Sequence, residues 1–308
     1  MTSHAPEIHA WILGSGGLLG GGLTRQATNL GIHVFPAPPI PWRDPIARRR
    51  VLDQGAEAFA SSIDGGRMVV IWAAGTAGVG SDDSAANDEN AILRELVEAL
   101  QGRWPMAGGT FFLTSSAGAV YAGSEEAPFT AESPIAPNSP YGRSKVWQEN
   151  YISASLPPTV DVRIGRLGNI YGATSNGRQG LIPRLCSAAL SRSAMNLFVP
   201  LDTLRDYCFV DDAAVLIWQE ILRPGTTPRT TVIGSGRSLS VSEVVSTVQQ
   251  VTHRRVPIAL GSDPEAARQP MDLRLQPDWL VSCPDFQPID LGTGIKRIID
   301  AVAIAPRS

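Results

Sequence analysis

The chain has 308 residues, of which 43% are apolar and 18% charged, with a formal net charge of −3. That is enough apolar sequence for a substantial core and too few charges for wholesale disorder, and the slightly acidic balance disfavours a nucleic-acid groove or a polybasic membrane anchor. Three cysteines and four histidines are scattered without disulfide or metal-ligand spacing, so no metal site is expected.

Residues 9–13 read as a short buried strand. The glycine loop 14–22 follows, then a helical pattern to about Leu30, stopped by Gly31, and a second strand over 32–35. Strand, glycine loop, helix and strand in this order make a βαβ unit. The proline-rich run 36–45 excludes a central strand. Asp44-Pro45 fits an N-cap and first-turn proline for a helix through about Ser62. Residues 68–74 are an apolar run of strand length, the mark of a buried parallel strand. A helix over 87–101, a strand over 110–115, a helix opened by Ser139-Pro140 and reaching about Ala154, and a strand over 160–164 continue the alternation. The pattern predicts a Rossmann-like, doubly wound parallel α/β sheet over residues 1–172.

Beyond residue 172 the pattern loosens. Helices are expected near 180–193 and 211–223, and a short strand within 229–237 returns to the sheet. Ser240 and Glu243 form a capping box for a helix to about Thr252, and an amphipathic helix covers about 293–303. Residues 173–308 are therefore expected to form a smaller C-terminal α/β region. No apolar run is long enough to span a bilayer, and a cytoplasmic location is expected, with no membrane or nucleic-acid partner.

Three motifs carry chemistry. Gly14, Gly17 and Gly20 form G-x-x-G-x-x-G between a strand and a helix. Glycine allows the tight turn and close approach of a pyrophosphate, and the helix start offers free N–H groups. Leu18 and Leu19 on that opening turn, and Ala73, Ala74 and Gly75 at the end of the 68–74 strand, join them as cofactor-binding candidates. No Gly-Lys-Ser/Thr follows, which excludes a P-loop. Tyr141 and Lys145 are four apart on a helix and share a face. An ammonium beside a phenol favours the phenolate, so Tyr141 is a candidate acid/base. Ser115 and Ser116 stand at the carboxyl end of a strand, where open α/β sheets bind ligands.

Together these residues resemble the extended short-chain dehydrogenase/reductases of the NAD-dependent epimerase/dehydratase type. The resemblance also rests on Asn90, Val120-Tyr121, Asn169 in RLGNIYG, Arg205-Asp206-Tyr207, and Val210-Asp211-Asp212. It implies that Tyr141 is the acid/base, that Lys145 holds the nicotinamide ribose, and that Asn90 lies against the cofactor. It further implies that the region 173–308 binds substrate, and that Asn169, Arg205 and Arg274 bind the diphosphate of a nucleoside-diphosphate sugar. A homodimer is implied through helices 87–101 and 140–154, for which Leu93, Leu96, Val97 and Leu100 supply an apolar stripe.

The sequence departs from the family pattern in three places. Ala117 stands where an assisting Ser or Thr is usual, leaving Ser116, one residue earlier, as the candidate for that role. No acid ends the second strand, where members using NAD commonly bind the ribose hydroxyl, and Arg43 follows a few residues on. This tilts the expectation mildly from NAD to NADP. Gly118 and Ala119 stand where dehydratases carry Asp-Glu, so 4-epimerisation and 4-keto reduction rank above dehydration. The Ala117 departure keeps one alternative open, a cofactor-binding protein of the same fold with little or no turnover.

Overall fold

The computed structural model describes residues 7–304, apart from 76, 79, 107, 174–179, 226–228 and 263–268. The elements run β1 (Ile8–Leu13), α1 (Leu18–Asn29), β2 (His33–Val34), α2 (Pro45–Ser61), β3 (Arg67–Trp72), α3 (Asp83–Leu100), β4 (Gly109–Ser116), the single turn α4 (Ala117–Val120), α5 (Pro140–Ser155) and β5 (Val160–Leu167). There follow β6 (Asn169–Tyr171), α6 (Leu181–Ser191), β7 (Met195–Leu197), β8 (Leu204–Phe209), α7 (Val210–Leu222), β9 (Arg229–Ile233), β10 (Ser238–Ser240), α8 (Val241–Thr252), β11 (Ile258–Leu260), β12 (Asp272–Leu273), α9 (Trp279–Ser282) and α10 (Leu291–Ile304).

Six strands form one sheet in the order β2-β1-β3-β4-β5-β9. Every pair in it is parallel. Alternation along β1 feeds both faces: Trp11 and Leu13 join the core under α2, α3 and α5, while Ala10 and Ile12 join the core under α1 and α7. The α1–α7 contact is close because Gly22 leaves room for Val210, and the Trp218 Nε1–H donates to the Leu23 carbonyl at 2.9 Å. The connection from α1 leads to β2 on one side of β1, and the chain then crosses to β3 on the other. The strand order therefore reverses between β1 and β3, the place where doubly wound sheets open a crevice.

The local signals set most helix ends. Asp44 accepts from the Ile46 and Ala47 N–H groups and Ser139 from that of Gly142, each followed by a first-turn proline. The Ser240–Glu243 capping box is fully formed. Four expectations need correction. β3 stops at Trp72, so Ala73 and Ala74 leave the strand and form part of the loop beyond it. α3 starts at Asp83, because Asp82 caps it by accepting from the Ala85 N–H at 2.9 Å; Asn90 thus lies well inside the helix. β5 runs on to Leu167, since β4 and β9 flank it on both sides. Leu93, Leu96, Val97 and Leu100 are all buried in the chain's own core, so this stripe serves the sheet and is not a surface for a second copy.

The C-terminal half holds more strand than its sequence pattern suggests. β8 pairs with β6 and β12 in parallel and with β10 antiparallel, and β7 pairs with β11. A second core of α6, α8 and α10 residues, among them Leu185, Val244 and Ile295, packs beneath this small sheet. Among the described residues, no helix is long and apolar enough to cross a membrane.

Candidate active site

An open cleft of about 1120 Å³ lies at the carboxyl ends of β1 and β3, lined by Gly14, Gly17, Ala73, Gly75, Arg43 and Glu89 among others. Its glycines have separate reasons. Gly14 has φ +90°, and a Cβ there would sit 2.5 Å from the Ala73 carbonyl oxygen. A Cβ on Gly20 would run into the Gly14 backbone. Both are needed for the loop to fold against its own chain. Gly17 differs: its added Cβ would meet only the Gly14 carbonyl, at 3.3 Å. Gly17 lines the cleft as the N-cap of α1 without a side-chain cap, so the N–H groups of Leu18 and Leu19 begin a helix with no acceptor behind them. A bare glycine at the mouth of an uncapped helix start suits the pyrophosphate of a dinucleotide.

Tyr141 stands in the first turn of α5. Gly142 packs that turn against the Ala119 carbonyl, where a Cβ would come within 2.6 Å. This pins the start of α5 to the turn after β4, which carries Ser116. Tyr141 is half-buried, and its hydroxyl makes no hydrogen bond to any described residue. The Lys145 ammonium lies 5.5 Å from the Tyr141 ring centroid. It is buried and donates to Glu89 Oε1 at 2.8 Å and Gln148 Oε1 at 3.0 Å. Burial works against its charge, but Tyr141 and then Glu89 outweigh burial and hold the ammonium above its ordinary range.

Behind the pair is a second buried network. Arg166 donates to both Glu149 oxygens and, at 2.8 Å, to the Tyr121 hydroxyl. Burial opposes the Arg166 charge, yet Glu149 and Tyr121 raise it above the usual guanidinium range. Ser115 donates to Glu149 at 2.6 Å, so its hydroxyl is committed there. Ser116 is half-buried, and its hydroxyl neither caps α4 nor bonds any described residue. Ala117 is fully buried with Val120 and Leu273.

The remaining candidates divide. Asn90 accepts from the Ser144 hydroxyl at 2.7 Å and the Gln148 amide at 3.1 Å, which ties α3 to α5. Arg43 is exposed on the cleft wall with no partner among the described residues, whereas Arg48 is bound to Glu95 at 2.6 Å. Asp44 is occupied as a helix cap. Asn169 is exposed on β6. Arg205, on β8, is buried and donates to the Leu204 carbonyl at 2.8 Å, with no ion pair among the described residues. Burial lowers its pKa, and Tyr207 and Asp272 offset this only in part. Arg274 is exposed and already paired with Asp272 at 2.8 Å. No motif singled out Glu89, Gln148 or Glu149 in advance. Glu149 lies one turn beyond Lys145 and was within reach of helical spacing; Glu89 comes from α3, and no spacing rule reaches it.

A doubly wound sheet, a glycine-lined cleft at its switch point and a Tyr–Lys pair on α5 define the class as a short-chain dehydrogenase/reductase scaffold. The model of the NAD dependent epimerase/dehydratase family matches residues 10–234, and the chain belongs to that family of extended short-chain dehydrogenase/reductase enzymes. It is 32% identical over 190 residues to a UDP-glucose 4-epimerase of Azospirillum brasilense, covering 54% of this chain and 54% of that protein. It is 27% identical over 138 residues to the dTDP-4-dehydro-6-deoxyglucose reductase of Escherichia coli, covering 44% of this chain and 43% of that protein. These matches span about half the length of the relatives. The fold is similar to the crystal structure of the Thermus thermophilus UDP-glucose 4-epimerase in complex with NAD, with a TM-score of 0.77 at 19% identity over 97% of this chain and 100% of that one.

Proposed function

We propose that the chain acts on a nucleoside-diphosphate sugar by NAD(P)-dependent hydride transfer at a sugar carbon, as an epimerase or a 4-ketoreductase. The observation that carries this reading is the Tyr141–Lys145 pair, a phenol that bonds no described residue beside a buried ammonium. The relatives support it, one being an epimerase and one a reductase of nucleotide sugars.

Gly14, Gly17, Leu18, Leu19 and Ala73–Gly75 would hold the dinucleotide, which when bound supplies the hydride acceptor or donor. Tyr141 Oη takes the proton of a sugar hydroxyl during oxidation and returns one during reduction. Lys145 holds its charge close to that oxygen and binds the nicotinamide ribose. Ser116 donates to the reacting oxygen in place of the hydroxyl missing at Ala117. Arg205 enters as the main cation for the substrate diphosphate, because it is buried and forms no ion pair among the described residues. Arg274 contributes less, since Asp272 already holds it. Residues 173–308, which carry Arg205 and Arg274, would supply the substrate-binding side. Gly118 and Ala119 offer no acidic group for dehydration.

The cofactor lean is to NADP, through Arg43 on the cleft wall and the lack of an acid after β2. Arg43→Ala should then weaken binding of NADP+ about tenfold while changing NAD+ binding less than twofold, the loss of one charge-assisted contact. Equal effects on both would remove Arg43 from phosphate recognition.

A homodimer remains our reading, now through the outer faces of α3 and α5, where Arg94 covers the stacked Trp147 and Tyr151 rings. Light scattering that finds only monomer at micromolar concentration excludes it. The three described cysteines are free thiols.

The deciding assay incubates purified protein with UDP-glucose, or with dTDP-4-keto-6-deoxyglucose and NADPH. Interconversion of UDP-glucose and UDP-galactose without added cofactor marks an epimerase. Oxidation of NADPH by the keto sugar marks a reductase. Tight dinucleotide binding with neither turnover would favour the binding-protein reading that Ala117 suggests.

A further inference from the structure

We infer that Glu89 is a positioning residue of the cofactor site, where its buried ion pair with Lys145 balances the ammonium and so lets the site accept the cationic, oxidised nicotinamide. The inference rests on the reading that Lys145 holds the nicotinamide ribose.

The geometry is specific. The two side chains are 3% and 6% exposed and 2.8 Å apart. Gln148 grips the same pair, accepting from the Lys145 ammonium at 3.0 Å and donating to Glu89 Oε1 at 3.1 Å. The other carboxylate oxygen accepts from the Ala77 N–H at 3.2 Å, on the loop that leaves β3. That oxygen lies so near Gly75 that a Cβ there would come within 2.7 Å of it. The carboxylate is thus fixed from three sides at the wall of the nucleotide cleft. Among the described residues, Glu89 alone of the acids ion-pairs with Lys145. Glu149 on the same helix is committed to Arg166 and Ser115. Asp88 lines the cleft but is exposed and makes no contact with Lys145.

The consequence follows from charge. Oxidised nicotinamide is a cation and reduced nicotinamide is neutral. A lone buried ammonium under the ribose opposes the first and leaves the second almost untouched. With Glu89 bound to it, the pair is neutral and this discrimination disappears. A charge a few ångströms away in a partly buried cleft changes such a preference by about tenfold.

The test is the ratio of dissociation constants for oxidised and reduced cofactor, Kd(NAD+)/Kd(NADH), or the same ratio for the phosphorylated pair if the parent prefers it. It is read by fluorescence and calorimetric titration at fixed ionic strength, with no substrate present. Glu89→Gln keeps the shape and the acceptor but removes the charge; it should raise the ratio about tenfold. A purely structural role for Glu89 would lower both affinities together and leave the ratio at the parental value, which overturns the inference. The double variant Glu89→Gln, Lys145→Gln carries no uncompensated buried charge and guards against failure of the single variant to fold. Its ratio should return to within about twofold of the parent, because a neutral pair replaces a neutral pair. A tenfold change in the double variant also overturns the inference. Should the parent bind neither form of the cofactor, the functional reading itself fails, which is a different result from an unmoved ratio.

Discussion

Gly17→Val is expected to remove dinucleotide binding while the fold survives. The chain itself tolerates a side chain at this position. Gly17 has φ −84° and ψ 174°, an extended conformation open to any residue. Its Cβ would meet only the Gly14 carbonyl, at 3.3 Å, which a small adjustment relieves. The rest of the valine would stand in the cleft where a pyrophosphate must touch the start of α1. Two lost N–H to phosphate bonds, at about 1.5–3 kcal/mol each, correspond to an affinity loss of roughly 10²–10⁴. Titration with NADH fluorescence and a thermal melt on the same sample separate the effects. Gly20→Val provides the contrast, because its Cβ would strike the Gly14 backbone and break the loop. It should lower the melting temperature as well as binding. Parental affinity in Gly17→Val would show that no pyrophosphate sits at this helix start.

Much of the layout of this candidate site was legible because its signals are local. The glycine spacing, the Tyr141–Lys145 interval and the caps at Asp44, Ser139 and Ser240 each lie within a few residues of one another and act through one element. What escaped was set by distant pairing. Lys145 meets Glu89 across 56 residues, and Arg166 meets Glu149 across 17. The sequence marks each residue as charged but says nothing of its partner. The stripe Leu93, Leu96, Val97 and Leu100 had two possible destinations, a sheet or a second copy, and helical periodicity does not distinguish them. The short strands β6, β7, β10 and β12 have two or three residues each, too few for a period of two to show. Arg205 and Arg274 were both expected at the substrate diphosphate, the match at Arg274 being the looser. Only the fold separates the exposed arginine held by Asp272 from the buried one that has no ion pair among the described residues.

Tyr141→Phe should lower turnover by roughly 10²–10⁴, the contribution of a positioned acid/base, with cofactor affinity nearly unchanged. The substitution keeps the ring, and with it the contact to the Lys145 ammonium at 5.5 Å. It also costs little stability, because the hydroxyl it removes bonds to no described residue and no buried partner is left behind. Lys145→Ala is a cruder probe. It strips the counter-charge from Glu89, which is 3% exposed, and leaving a buried charge unpaired costs about 3–5 kcal/mol. Slower turnover, weaker cofactor binding and a lower melting temperature should therefore arrive together in that variant. Ser116→Ala resolves the Ala117 departure. A clear rate loss with normal cofactor affinity would give Ser116 the assisting role; no loss would leave Tyr141 as the sole hydroxyl in play. The measurement is kcat and KM on whichever nucleotide sugar the parent accepts, beside a dinucleotide titration for each variant. Parental kcat in Tyr141→Phe would mean that the proton travels by another group and that the α5 pair only shapes the cofactor site.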